Sequence, residues 1–310
     1  MCKMRKVCVA IVTFNRKLLL ERCIVKLLAQ TYPISQILVI DNHSSDGSFQ
    51  YIKDNFDSIF KKKNITFNWV RLKENLGGAG GFNKAVEFFL SSNEKYLWLM
   101  DDDGYPDKDA LSQLLLFATE DCFIGPIVLS DRDERKFSFP LRIPNSIKVL
   151  DTVDDISPIL KEIEGTTLPF NGTLISRELI LKIGLPDSRY FIWGDEIDYM
   201  ERARRAKAYI STIVAARFFH PKAKNLGTPM FFNILRFNDT DSELKLYCYC
   251  RNNFVNQMKY KGFCRSLFFV GKVIWYYSIT NPSLTKLRIA VTAFQHAFVK
   301  DFSKHKIFLK

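Results

Sequence analysis

A short apolar run that ends in three consecutive aspartates constrains the fold of this chain more than any other feature. Residues 96–100 (YLWLM) are followed directly by Asp101, Asp102 and Asp103. Five apolar residues are too few for a helix, so we predict a buried central strand. Its end then lies at the carboxyl edge of a sheet, where open α/β folds bind their ligands. Adjacent carboxylates repel one another, and Mg²⁺ or Mn²⁺, which accept oxygen ligands, would remove that repulsion.

An isolated aspartate triplet is more often an acidic surface turn, so its interpretation depends on the segments around it. These alternate between strand and helix patterns. We predict strands at 7–12, 37–41, 65–70, 122–129, 168–176 and 209–216, and helices at 17–30, 82–91 and 200–209. Strand and helix in alternation predict a mostly parallel sheet with right-handed crossovers, flanked by helices. The predicted fold class is therefore α/β.

Polar side chains follow several predicted strands at the point where each strand ends. They are Thr13, Asn15, Arg16, Asp41, Asn42 and the aspartate triplet. The carboxyl ends of parallel strands meet at one edge of the sheet, and a nucleotide would bind there. The first turn reads TFNR rather than GxGxxG, and no GK[ST] follows the later glycines. Neither a dinucleotide-binding Rossmann site nor a Walker phosphate loop is therefore predicted.

Four glycines lie in residues 77–81 (GGAGG), just before a predicted helix. Glycine allows the backbone to approach a ligand closely, and the amides at a helix N-terminus bind anions. A flexible turn that is tolerated for packing reasons explains the same pattern. The sequence leaves both interpretations open.

A second acidic cluster follows Trp193 and consists of Asp195, Glu196 and Asp198. Capping and the helix dipole partly explain carboxylates at the start of a helix. An acidic cluster beside a tryptophan also suits a general base next to a sugar-binding surface. Further on, His220 follows a predicted strand. A lone histidine is more often structural, but this position makes His220 a candidate metal ligand.

The C-terminal part of the chain is basic and aromatic. The 310 residues carry a net charge of +12, and residues 259–310 alone contain ten Lys or Arg and a single acidic residue, a net +9. Within them, residues 267–279 (LFFVGKVIWYYSI) are too short to cross a membrane but long enough to lie at its surface. A hydrophobic helix packed on the rest of the protein is the alternative. Nucleic acid is not an expected partner, because no RRM, KH or zinc-finger signature is present.

Two further features bear on location. The seven cysteines are scattered without paired CxxC spacing, which indicates reduced thiols. Residues 1–15 carry a strand-like run rather than an apolar leader, and no stretch reaches the roughly 18–20 apolar residues of a membrane span. We therefore expect a cytoplasmic protein.

Five motifs then occur in the order found in one enzyme family. They are TFNR at 13–16, IDNHSSDG at 40–47, NLGGAGGF at 75–82, DDD at 101–103, and WGDEIDY at 193–199 followed by a histidine. Over about residues 5–221 the chain resembles the family 2 glycosyltransferases of GT-A fold, a Rossmann-like α/β fold. The resemblance is greatest to the galactofuranosyltransferase branch and its bacterial polysaccharide relatives. Tyr247, Tyr249, Arg251 and Asn252 also match a pattern that recurs in relatives that build bacterial surface glycans.

The resemblance implies a role for each matching residue. Those that would bind the nucleotide-sugar are Thr13, Asn15, Arg16, Asp41, Asn42, Asn75, Gly77, Gly78, Asp101 and Asp102. Asp101, Asp103 and His220 would bind Mn²⁺ or Mg²⁺. Glu196 falls where the family places its general base, although relatives often have Asp there, which keeps Asp195 as a catalytic candidate. Trp193 and Asp198 would contact the acceptor.

The resemblance also implies an activity and its partners. The expected enzyme is inverting and moves galactofuranose from UDP-galactofuranose, or rhamnose or another hexose from a dTDP- or UDP-sugar. The acceptor would be a polyprenyl-diphosphate-linked glycan, with the enzyme peripheral on the inner face of a bacterial cytoplasmic membrane. Residues 1–235 would form the catalytic domain and 236–310 a helical extension for acceptor or membrane, and single-residue addition is expected. A non-catalytic nucleotide-sugar-binding subunit is the other alternative, but it predicts loss of acidic residues that are present.

Overall fold

The computed structural model describes residues 5–144, 146, 148–157, 159–222, 227–231 and 234–309. The strands are β1 (Val7–Thr13), β2 (Gln36–Asp41), β3 (Thr66–Arg71), β4 (Tyr96–Asp101), β5 (Tyr105–Pro106), β6 (Cys122–Ser130), β7 (Lys136–Arg142), β8 (Val149–Thr152), β9 (Glu162–Glu164), β10 (Asn171–Ser176), β11 (Tyr209–His220), β12 (Thr228–Met230) and β13 (Leu235–Phe237). The α-helices are α1 (Lys17–Leu28), α2 (Ser48–Lys62), α3 (Gly77–Leu90), α4 (Ala110–Leu116), α5 (Arg177–Ile183), α6 (Asp195–Arg205), α7 (Glu243–Tyr260), α8 (Phe263–Trp275) and α9 (Leu284–Phe298). A π-helical turn, Tyr276–Thr280, follows α8.

The predicted α/β fold is confirmed. The main sheet has the strand order β3-β2-β1-β4-β10-β6-β11-β5. Neighbours among β3, β2, β1 and β4 are parallel, as are β6 and β11, whereas β10 runs antiparallel to both β4 and β6. The apolar runs explain this sheet, because every residue of β1, β2 and β6 is buried and strands covered on both faces need side chains that are apolar throughout.

Helix α3 differs from its predicted position, because it begins at Gly77 rather than near residue 82. The glycine run is therefore the first turn of the helix and not a loop. A Cβ atom added at Gly81 would lie 2.4 Å from Cγ1 of Val12, so the absence of a side chain allows the helix to pack directly on β1. Glycine is a poor helix former, and for this reason the sequence pattern placed the start of the helix too late.

Other boundaries also differ, including the ends of α1 at Leu28 rather than 30 and of α6 at Arg205 rather than 209. Helix α6 begins at Asp195, five residues before the predicted 200, so the acidic cluster lies in its first turn. Strand β10 begins at Asn171 rather than at 168. Strand β11 continues to His220, past a change in register between Ile213 and Arg217. The predicted end at 216 falls within this irregular stretch, where the regular pairing with β6 is interrupted and then resumes.

The described residues form two compact units. The first consists of the described residues of Met1–Leu76, Gly81–Leu185 and Arg202–Lys222, and the second of Gly77–Gly80, Pro186–Glu201 and the described residues of Ala223–Lys310. The first unit contains the main sheet and its apolar core. The second contains α7, α8 and α9 around a core rich in aromatic residues. The functional boundary predicted at residue 235 stays a prediction, because compactness does not show which residues bind donor or acceptor.

Candidate active site

The ends of three adjacent strands lie side by side in the first unit. In the parallel pairing of β1 with β2, Thr13 is opposite Asp41, and in the pairing of β1 with β4, Val12 is opposite Asp101. The residues that follow these strands therefore meet at the carboxyl edge of the sheet. This juxtaposition is what the sequence predicted for the nucleotide-binding residues.

Asp102 lies at this edge and has two polar partners, Thr13 and Arg16. Its side chain is buried, and its Oδ2 accepts a hydrogen bond from the Thr13 hydroxyl at 2.7 Å. The Arg16 guanidinium lies 3.0 Å from Asp102 Oδ1 and 2.8 Å from Asp103 Oδ2. One arginine thus compensates two adjacent carboxylates, which is how the protein tolerates the repulsion within the triplet.

The two carboxylates have opposite pKa shifts. Burial raises the pKa of Asp102 to about 6, although Arg16 and the Thr13 hydroxyl act in the other direction. Burial also works to raise the pKa of Asp103, but the nearby His220 imidazole, whose charge favours the ionised carboxylate, and Arg16 outweigh it, so the net shift is downward. Asp103 is therefore the carboxylate that this environment keeps ionised, which is the state that binds a cation.

Asp103 and His220 form the part of the predicted metal site that the structure brings together. His220 Nε2 lies 3.2 Å from Asp103 Oδ1, a buried oxygen for which the described residues provide no partner of hydrogen-bonding geometry. Across the described part of the chain, no three His, Cys, Asp or Glu side chains are grouped so that they could hold a metal ion. A carboxylate and an imidazole with one unsatisfied buried oxygen nevertheless fit the donor chemistry of Mn²⁺. Asp101 stays a predicted third ligand.

Several predicted nucleotide-binding side chains organise the turns around the site. The Asn15 side-chain oxygen accepts from the Ser45 amide at 2.7 Å, and Asp41 Oδ1 accepts from the Ser44 amide at 2.7 Å. Asn42 Oδ1 accepts from the Leu76 amide at 2.8 Å. These bonds fix the turns after β1 and β2 as well as the residue just before α3. Direct contact of these side chains, and of Asn75, with a nucleotide stays a prediction.

The glycines at the start of α3 have different surroundings. A Cβ atom at Gly77, whose φ is +69°, would lie 2.0 Å from the Phe191 carbonyl oxygen. That oxygen accepts a hydrogen bond from the Ala79 amide at 3.1 Å, so this helix-terminal donor is already used within the protein. At Gly78, the described part of the chain places no atom within 4 Å of the equivalent point. The sequence left two interpretations of the glycines open, anion binding and packing. At Gly77 these contacts support packing.

Arg22 is a residue of this region that the sequence analysis missed. Its guanidinium donates to the Asp103 backbone carbonyl at 2.9 Å and lies 3.5 Å from Asp131 Oδ2. It therefore supports the turn that carries the aspartate triplet. An arginine on a helix after the first strand gives no signal of these contacts, because Asp103 and Asp131 are 81 and 109 residues away in the sequence.

In the second unit, Glu196 lies in the first turn of α6, and Gly194 binds its carboxylate. Glu196 Oε2 accepts a hydrogen bond from the Gly194 amide at 2.6 Å. Burial raises the pKa of Glu196, and hydrogen bonds from its own amide, from Asp195 and from Gly194 only partly offset the rise. A carboxylate that is destabilised by burial has a higher affinity for a proton, as a general base requires.

The two predicted acceptor residues differ in accessibility. Trp193 is 40% exposed, with Lys245 Nζ 5.5 Å from its ring centre. Asp198 is buried, and its Oδ1 accepts from Lys259 Nζ at 2.6 Å and from the Tyr260 hydroxyl at 2.7 Å. These contacts favour a structural role for Asp198, the tie between α6 and α7. Trp193 has the exposed ring that a sugar-binding surface needs.

Comparison with known proteins agrees with this class of fold and site. The fold is that of GT-A glycosyltransferases, which the aspartate-bearing edge of the sheet already indicated. The family model for glycosyl transferase family 2 matches residues 8–179, more than half of the chain. The chain belongs to glycosyl transferase family 2 and is a glycosyltransferase.

Among curated proteins, the chain is similar to galactofuranosyltransferases. It is 26% identical to galactofuranosyltransferase GlfT1 of Mycolicibacterium smegmatis over 296 residues, covering 91% of this chain and 93% of that protein. It is 28% identical to the Mycobacterium tuberculosis GlfT1 over 250 residues, covering 78% of this chain and 79% of that protein. The sequence-based resemblance to this branch is confirmed.

Solved structures show the same fold at low identity. A structure of S. aureus TarS 1–349 in complex with UDP-GlcNAc has a TM-score of 0.57 at 14% identity, covering 97% of this chain and 89% of that one. GalNAc-T7 with UDP, GalNAc and Mn²⁺ has a TM-score of 0.59 at 14% identity. The match covers 99% of this chain, which spans 59% of GalNAc-T7 and half of a longer TarS structure. These likenesses concern the fold alone.

Proposed function

We propose that this glycosyltransferase is an inverting, metal-dependent enzyme that transfers galactofuranose from UDP-galactofuranose to a lipid-linked bacterial surface glycan. The observation that carries the proposal is the cluster of Thr13, Arg16, Asp102, Asp103 and His220 at the carboxyl edge of the sheet. A buried and a partly buried carboxylate that share one arginine are suited to bind a divalent cation together with the diphosphate that it neutralises. The similarity to two GlfT1 proteins favours galactofuranose as the sugar.

The alternative donor is a dTDP- or UDP-activated rhamnose or another hexose, because the fold accepts different nucleotides. The S. aureus TarS 1–349 structure contains UDP-GlcNAc, and a Pyrobaculum calidifontis mannosyltransferase contains GDP-Man and Mn²⁺. A panel of nucleotide sugars, read by mass spectrometry of a synthetic polyprenyl-diphosphate-linked disaccharide, separates these possibilities. The proposal requires that UDP-galactofuranose gives the product with a single added hexose. Transfer of rhamnose alone would replace it by the alternative.

Asp101, Asp103 and His220 would hold Mn²⁺ or Mg²⁺. When bound, the cation supplies charge that stabilises the departing nucleoside diphosphate. Arg16 shares this task, because it already lies between Asp102 and Asp103, and its guanidinium always stays charged. Thr13 donates to Asp102 and so fixes the carboxylate that would face the donor sugar.

Glu196 would act as the general base in a single displacement. Its carboxylate takes the proton of the acceptor hydroxyl while that oxygen attacks the anomeric carbon from the side opposite the diphosphate. The bond to the diphosphate breaks as the new glycosidic bond forms, so the anomeric configuration inverts. Asp195 is the alternative base, and Trp193 would form a platform for the acceptor sugar.

The raised pKa of Glu196 predicts the pH dependence of turnover. A base works only when deprotonated, so turnover is lost as the pH falls through its pKa, which lies above the ordinary glutamate value of 4.5. We expect an acidic limb in the profile of kcat against pH with a midpoint above that value. The Glu196→Gln variant should keep a low residual rate without this limb. A midpoint at or below 4.5, or an unchanged limb in the variant, would contradict the assignment.

The second unit has a surface suited to an anionic membrane. No α-helix within the described ranges is long and apolar enough to cross a bilayer. Of the aromatic residues expected at a membrane surface, Phe269, Tyr276 and Tyr277 are buried in the core of this unit, because α8 packs against α7 and α9. The opposite side of α8 exposes Leu267, Phe268, Ile274 and Trp275, and the π-helical turn after it exposes Ile279. Exposed basic residues of the segment 259–310 include Arg265, Arg288, Lys300, Lys304 and Lys306.

We expect the protein to co-sediment with anionic liposomes and to be released as the salt concentration rises. Basic residues near such a surface contribute about 1 kcal/mol each, and apolar side chains add insertion energy. Replacing Leu267, Phe268 and Trp275 together by serine should weaken binding about tenfold, since the apolar contribution is lost. Leu181→Ser is the control, because Leu181 is 61% exposed in the other unit. Equal recovery with neutral and anionic lipid would rule out this role.

A further inference from the structure

Three of the five residues before α6 have backbone angles that residues with side chains rarely adopt. Phe191 and Trp193 have φ angles of 64° and 61°, and Gly194 has a φ of 95°. In this region the Cβ atom of an ordinary residue comes too close to its carbonyl oxygen. Such conformations persist only where the surroundings over-determine them, and they are frequent at functional sites. The contacts that hold this segment therefore matter for Glu196, which follows it directly.

Asn252 of α7 supplies the first of these contacts. Its Nδ2 lies 3.0 Å from the carbonyl oxygens of Tyr190 and Ile192 and 2.6 Å from that of Trp193. An amide group has two hydrogens, so three carbonyls share them, and the shortest contact is to Trp193. The Trp193 carbonyl belongs to the same planar peptide group as the Gly194 N–H. Orienting the carbonyl thus orients the N–H, and this N–H donates to Glu196 Oε2 at 2.6 Å.

Asn256, one helical turn further along α7, holds the other side of the same glycine. Its Nδ2 donates to the Gly194 carbonyl at 2.8 Å, and its Oδ1 accepts from the Tyr190 hydroxyl at 2.6 Å. The space around Gly194 is closed, because a Cβ atom there would lie 2.9 Å from Asn252 Cβ. Both peptide groups of Gly194 are therefore fixed by side chains of α7.

Arg251 sets the orientation of Asn252. The Arg251 Nε donates to Asn252 Oδ1 at 2.8 Å, so the Asn252 nitrogen must face the carbonyls. One Arg251 Nη atom donates to the Tyr190 carbonyl at 2.8 Å and the other to that of Phe302 at 2.9 Å. The side chains of Arg251, Asn252 and Asn256 are all buried. Breaking buried polar groups of this kind is costly, so the network defines one arrangement of the segment.

We propose that Asn252 and Asn256 are positioning residues that fix the Glu196 carboxylate for proton abstraction, with Arg251 setting the orientation of Asn252. The inference rests on the proposed role of Glu196 as the base. Arg251 and Asn252 belong to the pattern at 247–252 that recurs in relatives that build surface glycans. The proposed function leaves these two residues unexplained, and this inference gives each of them a role. The effect passes through the peptide group that joins Trp193 and Gly194.

Leucine substitutions test this inference, because leucine preserves volume but cannot donate. With UDP-galactofuranose and the synthetic lipid-linked disaccharide, Asn252→Leu and Asn256→Leu should lower kcat about 10- to 100-fold with the donor KM within about twofold. Asn253→Leu is the matched control, since the one side-chain hydrogen bond that Asn253 makes within the described residues is to the Tyr249 carbonyl of its own helix, at 2.9 Å. Its kcat should stay near wild type. A normal kcat in both test variants would overturn the proposal.

A double-mutant cycle separates positioning of the base from a general structural role. In the Glu196→Gln background, Asn252→Leu should cause little further loss, because the group that it positions is already removed. The same fold-loss in both backgrounds would overturn the proposal. If Glu196→Gln itself turns over normally, the proposed base fails. If Glu196→Gln is inactive while the asparagine variants are normal, only the positioning inference fails.

Two further measurements keep the test decisive if a leucine variant does not fold or if the donor is a different sugar. Tyr190→Phe removes a single hydroxyl, and kcat should fall about threefold as Asn256 loses that partner. Amide hydrogen exchange of peptides that cover 190–196 needs no substrate, and it should be at least about tenfold faster in Asn256→Leu than in Asn253→Leu. Unchanged exchange and an unchanged Tyr190→Phe rate would each contradict the role of Asn256.

Discussion

Replacing Glu196 by glutamine is expected to lower turnover at least about 100-fold, within the usual range for loss of a general base. Glutamine keeps the size and the hydrogen bond from the Gly194 amide but cannot take a proton at neutral pH. UDP binding, measured by calorimetry with Mn²⁺, should remain unchanged, because the donor-binding residues are separate. Steady-state release of UDP in the presence of acceptor measures the turnover.

Asp195→Asn is the comparison that decides between the two adjacent carboxylates. Asp195 is buried and hydrogen bonds to Glu196, so its substitution should reduce turnover less than Glu196→Gln does. Normal turnover of Glu196→Gln together with an inactive Asp195→Asn would assign the base to Asp195. If the turnover of Glu196→Gln is nearly that of the wild type and Asp195→Asn is also active, the proposed mechanism is contradicted.

Asp103→Ala is expected to abolish transfer and to remove detectable Mn²⁺ and UDP binding. The substitution deletes the carboxylate that lies 3.2 Å from His220 Nε2 and leaves Arg16 paired only with Asp102. Calorimetric titrations with Mn²⁺ and then with UDP measure both losses. Asp133→Ala is the control, because Asp133 belongs to the same unit, its side chain is 43% exposed, and it pairs with Lys136.

Chelation provides the complementary test of the same prediction. Excess EDTA should stop transfer by the wild-type protein, and Mn²⁺ or Mg²⁺ added afterwards should restore it. Full activity in EDTA would contradict the metal assignment of Asp101, Asp103 and His220. Arg16 would then be the principal counter-charge for the diphosphate.

The sequence was sufficient to predict the elements whose structure is decided by burial of apolar residues. The apolar runs of β1, β2 and β4 predicted strands within one or two residues of their observed ends, and the polar residues after them were expected at one edge. The start of α3 was missed because glycine has a low helix propensity, whereas close packing on Val12 favours it. Local pattern alone contains no information about such a tertiary contact.

The support around the candidate site was not predictable for a similar reason. Arg22 contacts the backbone of Asp103, and Asn252 contacts residues about 60 positions earlier. An arginine or asparagine within a helix is usually a solvent-exposed residue, so composition gives no signal that these side chains are used. To predict that a charged or amide side chain is buried, one must know which helix packs beside which loop.

The most direct test of the account is the stereochemistry of the transfer. The purified protein is incubated with UDP-galactofuranose, Mn²⁺ and the synthetic polyprenyl-diphosphate-linked disaccharide, and the product is analysed by mass spectrometry and NMR. A single displacement assisted by Glu196 predicts one added galactofuranose whose anomeric configuration is opposite to that in the donor. Retention of configuration, or no transfer from UDP-galactofuranose while another nucleotide sugar is used, would contradict the account.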